Sequence, residues 1–278
     1  MTLSLAAALL LSGAPASHAT GIHWERDFNA ALQKAKAQHK PLMVDFWADW
    51  CGWCRRLDET TYADRDVVRL SKDFVPVKVN TEGGRNDTLV ALRYGVSELP
   101  TIAFISPSGR SILRLTGFRG PGQFPSIMLA AREAAGQVFG WETAIEKDPR
   151  NAEALSKLGV YLYEQEAYEE SRDLLVRATH VDADRPVEER KQVRLLLGII
   201  RHYERRYPDA EALLKEALAL QPPGPHEAQL LYILGRTYKA WGRFDQARPV
   251  LEQVVRSYPD SPFAQRAQQT LVALDHKR

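Results

Sequence analysis

Cysteine is scarce in this 278-residue sequence: there are two, Cys51 and Cys54, three positions apart. A disulfide-rich scaffold is excluded, because such domains need several cysteines spread along the chain. A bridge between these two would close so short a loop that it restricts the unfolded chain little. The pair is a poor structural staple and is suited to being opened and closed. With no second cysteine pair and no histidines at ligand spacing, we predict no four-ligand metal site.

An excess of charge of one sign is also lacking, because the net charge is +2 with both signs interspersed. This balance provides no basic surface for nucleic acid or an anionic membrane, so neither is an expected partner.

The N-terminal apolar run, residues 3–11, is too short to cross a bilayer, which takes about 20 residues. A breaker at residues 12–15 and small residues at Ser17 and Ala19 follow, as in a signal peptide. We therefore predict a signal peptide over 1–19 and a soluble exported protein, periplasmic in a bacterium, with no membrane insertion after cleavage. A disordered or membrane-anchoring start is the alternative.

Helix and strand patterns alternate over residues 20–135. Residues 42–47 form a short apolar run typical of a buried strand, apart from Asp45. Further strands are predicted at 74–79, 101–105 and 111–115, the last two as a hairpin, before a closing helix at 124–135. This order predicts an α/β domain.

Residues 136–278 have no strand pattern, and a Leu-Gly pair recurs with its glycines 39 and then 37 residues apart. A small residue follows each glycine by twelve positions and a leucine by sixteen. These positions resemble the tetratricopeptide repeat, whose period is about 34 residues. The resemblance implies an all-α solenoid with repeats at 152–185, 191–224 and 228–261 and a capping helix, on which a protein partner docks. A generic helical bundle is the alternative.

The strand at 42–47 leads directly into Cys51-Gly52-Trp53-Cys54 and a following helix. The unpaired amides and positive dipole end at a helix start favour a thiolate. We therefore predict that Cys51 is the exposed nucleophile. Cys54, one turn later, is placed to resolve the mixed disulfide.

Residues 22–135 with these motifs resemble the thioredoxin family, so the expected fold is an α/β thioredoxin fold followed by the solenoid. Asp45 matches the buried aspartate of that family, which implies a proton acceptor, and Lys78 matches the lysine that faces it. An exposed edge carboxylate and a solvated lysine are the alternatives. Leu99 and Pro100 match its cis-proline loop, which implies substrate binding. The resemblance assigns the remaining substrate-binding positions to residues around the pair: Trp50, Gly52 and Trp53.

The segment after the motif looks closer to the exported C-terminal domain of DsbD. That resemblance implies a periplasmic reductase that takes electrons from a membrane donor and reduces disulfides in proteins, with no cofactor beyond its cysteine pair. Gly52-Trp53 departs from the Gly-Pro of thioredoxin, so the reduction potential is not fixed. The alternatives are an oxidase or isomerase using the same cysteines, or a repeat scaffold with an accessory redox domain.

Overall fold

The computed structural model describes residues 21–275, so the predicted signal peptide, 1–19, lies outside the described residues. The elements of the α/β part are α1 (Phe28–Gln38), β1 (Leu42–Trp47), α2 (Gly52–Arg56), a π-helical turn (Leu57–Thr61), α3 (Arg65–Leu70), a 3-10 turn (Ser71–Asp73), β2 (Val75–Asn80), α4 (Arg85–Arg93), β3 (Thr101–Ile105) and β4 (Ser111–Thr116). The helices that follow are α5 (Phe124–Lys147), α6 (Ala152–Glu164), α7 (Tyr168–Thr179), α8 (Val187–Tyr203), α9 (Tyr207–Ala219), α10 (Glu227–Ala240), α11 (Phe244–Ser257) and α12 (Pro262–Asp275). The predicted order, α/β and then all-α, is confirmed.

The strands form one sheet in the order β2-β1-β3-β4, with β1 parallel to β2 and antiparallel to β3. Side chains of the central strand β1 alternate between the two faces, because a strand has a period of two residues. Leu42, Val44 and Phe46 pack with α1 and α4 on one face. Met43 belongs to the apolar cluster on the other face, with α3 and α5. Asp45 therefore points to this second face, inside the molecule.

Helix α5 joins the two parts of the chain without interruption. The boundary predicted between residues 135 and 136 falls inside this helix, which continues to Lys147. Its buried side chains Met128 and Val138 belong to one apolar cluster that extends from the sheet into the helical part. Leu155 and Leu158 of α6 lie in the same cluster. The α/β part and the first helices of the solenoid therefore share a core.

Polar contacts reinforce this junction along β4, the edge strand of the sheet. The Tyr161 hydroxyl of α6 donates a hydrogen bond to the Ile112 carbonyl. Arg114 forms an ion pair with Glu166 at 3.1 Å and donates to the carbonyl of Gly95. An edge strand exposes unpaired backbone groups, and here the first helical hairpin binds one of them.

Helix pairs α6/α7, α8/α9 and α10/α11 pack as hairpins, each with a glycine of the first helix against a leucine of the second. A methyl group at these glycines would lie between 2.7 and 3.0 Å from the leucine side chain. The pairs are Gly159–Leu175, Gly198–Leu214 and Gly235–Leu251. The recurring Leu-Gly and leucine positions therefore mark close approach of the two helices. Within residues 21–275, no helix combines the length and the apolarity that a membrane span requires.

Gly235→Ala should destabilise the protein, because the added methyl would lie 2.7 Å from both Cδ2 and Cγ of Leu251. Overpacking costs about 1–3 kcal/mol, and the gain in helix propensity of about 1 kcal/mol offsets only part of it. Gly136→Ala is the matched control, because nothing lies within 4 Å of the methyl it adds to α5. Urea unfolding should show a lower stability for the first variant and a higher one for the second. A gain of stability in both would contradict the proposed helix contact.

Candidate functional site

The cysteine pair lies at the carboxyl end of β1, where the chain turns into α2. Cys51 is the N-cap of that helix, and Cys51 and Cys54 form a disulfide with their Cα atoms 5.3 Å apart. The Cys51 Sγ accepts a hydrogen bond from the Cys54 amide at 3.1 Å. This amide is one of those left unpaired at a helix start, so it is available to stabilise charge on the Cys51 sulfur.

The expectation that Cys51 is exposed is wrong for this disulfide form. Cys51 is 3% exposed and Cys54 is 2% exposed, so the two sulfurs are almost equally covered. In this form the Cys51 Sγ faces the Cys54 amide at the helix start.

Two exposed indoles lie beside the disulfide: Trp50 and Trp53 are 65% and 62% exposed. The Trp50 ring is held by a hydrogen bond from its Nε1 to Glu82 at 2.8 Å. The Trp53 ring contacts Phe118, which follows β4, with centroids 5.5 Å apart. Large apolar surface of this kind around a reactive bond is typical of a surface that binds another protein.

The loop before β3 reaches the same end of the sheet. The Leu99–Pro100 peptide bond is cis, and the following residue, Thr101, pairs with Phe46 near the end of β1. Pro100 is buried and its carbonyl accepts a hydrogen bond from the Gly117 amide at 2.8 Å, while Leu99 is half-buried. The two chain segments predicted to bind substrate are thus brought to one end of the sheet by neighbouring antiparallel strands.

Asp45 and Lys78 form an ion pair inside the molecule. They are register partners on β1 and β2, with Asp45 Oδ2 2.9 Å from Lys78 Nζ, and their side chains are 0% and 7% exposed. Burial raises the pKa of Asp45 above its ordinary value, and the Lys78 charge lowers it by less. In the part of the chain that the structure describes, Asp45 Oδ1 makes no hydrogen bond of good geometry, and the Tyr62 hydroxyl near it also lowers the pKa of Asp45. The raised pKa that remains suits a carboxyl group that takes up a proton.

A third charged residue, Asp58, completes this cluster. Its Oδ1 lies 2.5 Å from Lys78 Nζ, and its side chain is 48% exposed. Lys78 therefore bridges a buried carboxylate and one that contacts solvent. Sequence reasoning missed Asp58, because its position in the π-helical turn opposite β2 depends on tertiary packing. Its one sequence signal is an acidic residue four positions after Cys54.

Aromatic rings enclose the Lys78 amino group on its other sides. It lies 5.2, 5.4 and 5.8 Å from the ring centroids of Trp24, Tyr62 and Trp47. Ring faces attract a cation, so they stabilise a buried ammonium group that has little water around it. Burial, followed by the charge of Asp45, raises the pKa of Tyr62 well above its ordinary value, which keeps this phenol protonated.

The nine predicted site residues thus occupy three neighbouring places. The disulfide segment follows β1 and contains Trp50, Cys51, Gly52, Trp53 and Cys54. Leu99 and Pro100 precede β3, and Asp45 and Lys78 pair across β1 and β2. A methyl group at Gly52 would meet only the Arg55 side chain, at 3.9 Å, so packing does not require glycine there.

Comparison with known proteins finds the same order of two parts along the chain. Residues 28–132 match the model of a thioredoxin-like domain, and residues 141–186 and 192–260 match models of the tetratricopeptide repeat.

Curated relatives match the first of these parts. The thiol:disulfide interchange protein DsbD of Campylobacter jejuni (strain RM1221) is 28% identical over 102 residues, which is 36% of this chain and 18% of that protein. DsbD of Salmonella typhi is 34% identical over 108 residues, 38% of this chain and 19% of that protein. The solved structure of the oxidoreductase DsbH aligns with 46% of this chain and 95% of its own, at 20% identity and a TM-score of 0.39.

The matched part of the chain spans less than a fifth of these DsbD proteins, so the similarity concerns one domain and not the whole relative. The repeats account for most of the remaining described residues. The chain therefore consists of a thioredoxin-like domain related to that of DsbD, followed by tetratricopeptide repeats.

Proposed function

We propose that this protein is a thiol–disulfide oxidoreductase that works as a reductase on exported proteins. The observation that carries the proposal is the Cys51–Cys54 disulfide at the start of α2, next to the Pro100 loop. Related domains occur in proteins named for thiol:disulfide interchange, which supports the same chemistry. The reaction as proposed uses the cysteine pair and no further cofactor.

The exchange proceeds in two steps. In the reduced protein, the Cys51 thiolate attacks a substrate disulfide: a Cys51–substrate bond forms, the substrate bond breaks, and the leaving sulfur takes a proton from water. Cys54 then loses its proton and attacks the Cys51 sulfur, which forms the Cys51–Cys54 disulfide and releases the second substrate sulfur. The second substrate sulfur leaves as a thiolate and also takes a proton from water. Two electrons thus pass from the pair to the substrate, which ends as a dithiol.

Asp45 is the proton acceptor for Cys54 in this proposal. Its raised pKa brings proton uptake closer to neutral pH than for an ordinary aspartate. Lys78 orients the carboxylate by its 2.9 Å contact, and its second contact, with Asp58, links the buried pair to solvent. Asp58 is thus the group through which the proton returns to water.

Substrate lies across the exposed end of the sheet in this proposal. Trp50 and Trp53 provide apolar contact area, and the backbone around Leu99 and Pro100 lies opposite them. Gly52 adds no side chain between the two indoles.

The proposal has three further parts. The protein is exported, a membrane donor reduces the cysteine pair, and a protein partner binds to the repeats. The signal-peptide pattern of residues 1–19 supports export. Repeat solenoids offer extended surfaces for binding proteins, and the helical part here covers half the chain.

The direction of exchange follows from the reduction potential of the cysteine pair. Equilibration with glutathione should give a reduction potential more negative than that of the glutathione couple. A more positive reduction potential would make the protein an oxidase.

Replacing Cys54 with serine should trap the first intermediate. The mixed disulfide through Cys51 has no resolving thiol, so it should persist from seconds to hours. Non-reducing electrophoresis with a disulfide-containing protein such as insulin measures the adduct, and Cys51→Ser is the matched control that should form none. Adducts formed by Cys51→Ser but not by Cys54→Ser would reverse the two roles.

Asp45→Asn should slow release of substrate from the Cys51 mixed disulfide near neutral pH, because an amide cannot accept the Cys54 proton. Stability should change with pH as well. Folding raises the pKa of Asp45, so protonation of this carboxyl group stabilises the folded protein. This stabilisation is fully present below the unfolded pKa and is lost as the pH rises through the folded pKa. As the pH is raised from about 4 to about 8, the unaltered protein should therefore lose stability relative to the variant, which has no carboxyl group to ionise at this position.

Stopped-flow kinetics of substrate release from the Cys51 mixed disulfide, and urea unfolding of the oxidised proteins, test this prediction at both pH values. Asp66→Asn is the control, because that carboxylate is 66% exposed. Identical pH profiles for the unaltered protein and Asp45→Asn would leave Asp45 without a role in proton transfer.

A chain that ends at Lys147 tests partner docking. It keeps the site and α5, but it loses Leu155 and Leu158 from the shared core, so we expect a lower melting temperature. Below that temperature, reduction of a small disulfide should match the full chain, whereas the Cys54→Ser trap should lose its adducts with exported proteins. If the shortened chain still traps the same proteins at the same rate, the repeats do not dock the partner.

A further inference from the structure

A cavity of about 550 Å³ lies on the helical part, between the α6–α7 turn and the end of α8. Tyr163, Tyr168 and Tyr203 line it, and we call these three residues and Glu169 the tyrosine box. Tyr168 and Tyr203 are 47% and 68% exposed. The proposed redox reaction uses none of these side chains. Exposed aromatic rings gathered at one cavity are typical of a binding site.

Two of the three rings pack against each other at a steep angle. Tyr163 and Tyr168 have centroids 5.3 Å apart and ring planes at 69°. Burial raises the pKa of Tyr163, and the neighbouring Tyr168 and Tyr203 raise it further. Buried Ile199 and Ile200 form the apolar floor. The cavity therefore presents aromatic rings in different planes above an apolar base.

Negative charge lies at the rim. Glu204 is already compensated, because it pairs with Arg172 at 2.9 Å and with Arg201 at 2.7 Å. Glu169 lines the same cavity, is exposed in the first turn of α7 and, within residues 21–275, has no ion-pair or hydrogen-bond partner. The carboxylate without a partner is thus next to the three tyrosine rings.

We propose that the tyrosine box binds a lysine or arginine side chain on an extended segment of the protein that docks on the repeats, which rests on the docking function proposed above. A cation over aromatic faces gains about twofold to thirtyfold in affinity, and Glu169 adds an opposite charge. An acidic side chain would be repelled by Glu169. An uncharged apolar side chain would gain neither the attraction of Glu169 nor the cation–ring attraction.

A second cavity, of about 510 Å³, lies beside the box. Tyr168 and Glu169 line both cavities, and the second is also lined by Arg93 at the end of α4 and by Tyr94 and Gly95 after it. A segment whose cationic side chain occupies the box can therefore also contact residues of the domain that carries the cysteines. These additional contacts favour an extended protein segment over a free small cation.

The test uses the full oxidised chain and a blocked nine-residue peptide of glycine and serine with one central lysine. Calorimetric titration at low salt should give an affinity for this peptide at least about fivefold higher than for the same peptide with norleucine or glutamate at the centre. Tyr203→Leu and Glu169→Gln should each weaken binding of the lysine peptide by about fivefold. Their controls outside the box are Phe244→Leu, which also replaces an exposed aromatic ring, and Glu164→Gln, which makes the same change of charge; both should leave binding unaltered.

Equal affinity for the lysine and norleucine peptides, or no binding up to about 10 mM, would overturn the proposal. Equal effects of the box variants and their controls would also overturn it. Reduction of a small disulfide should be unchanged in all four variants, because none alters the cysteine site. If the chain ending at Lys147 loses its adducts but the lysine peptide does not bind the full chain, docking stands and the box is rejected. If that shortened chain keeps its adducts, the docking function itself fails.

Discussion

The burial of Asp45 is the constraint to which much of the thioredoxin-like domain is adapted. A carboxylate on a central strand cannot face water, and ionising it there is costly unless a partner is close. β2 supplies that partner, because its register places Lys78 directly beside Asp45. The lysine then needs compensation of its own, which comes from Asp58 and from three aromatic rings. The compensation is incomplete, since the pKa of Asp45 remains raised, and the raised pKa suits the group to the proton transfer proposed for it.

The same face of the sheet also determines how the repeats attach. Met43 lies next to Asp45 along β1 and belongs to the cluster that includes α5 and α6. The first repeat therefore packs against α5, the helix that lies on the same face of the sheet as the buried ion pair. It covers a side of α5 that would otherwise contact solvent. This arrangement gives the helical part a structural role in addition to the proposed docking, since removing it would expose the apolar side chains of α5.

Sequence patterns predicted those features that depend on local periodicity. β1 followed from an apolar run, and the helix pairs followed from Leu-Gly positions that the Gly235–Leu251 contact explains. Features set by tertiary packing were not predicted: Asp58 reaches Lys78 through the packing of a π-helical turn on β2, and Cys51 is covered in the disulfide form that the structure describes. The end predicted for the closing helix near Gly136 failed for a different reason. α5 continues past that glycine because Val138 is buried in the shared core, and such tertiary packing outweighs the low helix propensity of one glycine.

Attachment through a shared core also affects how two contacts with one partner combine. If a flexible linker joined the domains, its length would set the effective concentration of the second contact, and many spacings would be accepted. Here α5 itself spans the junction, and Arg114–Glu166 and Tyr161–Ile112 hold the first hairpin on β4. The distance between the disulfide and the tyrosine box is then a property of the fold. A partner gains from both contacts only if its disulfide and its cationic segment match that distance. Selectivity under this proposal comes from geometry, because the exchange chemistry alone accepts any disulfide that reaches Cys51.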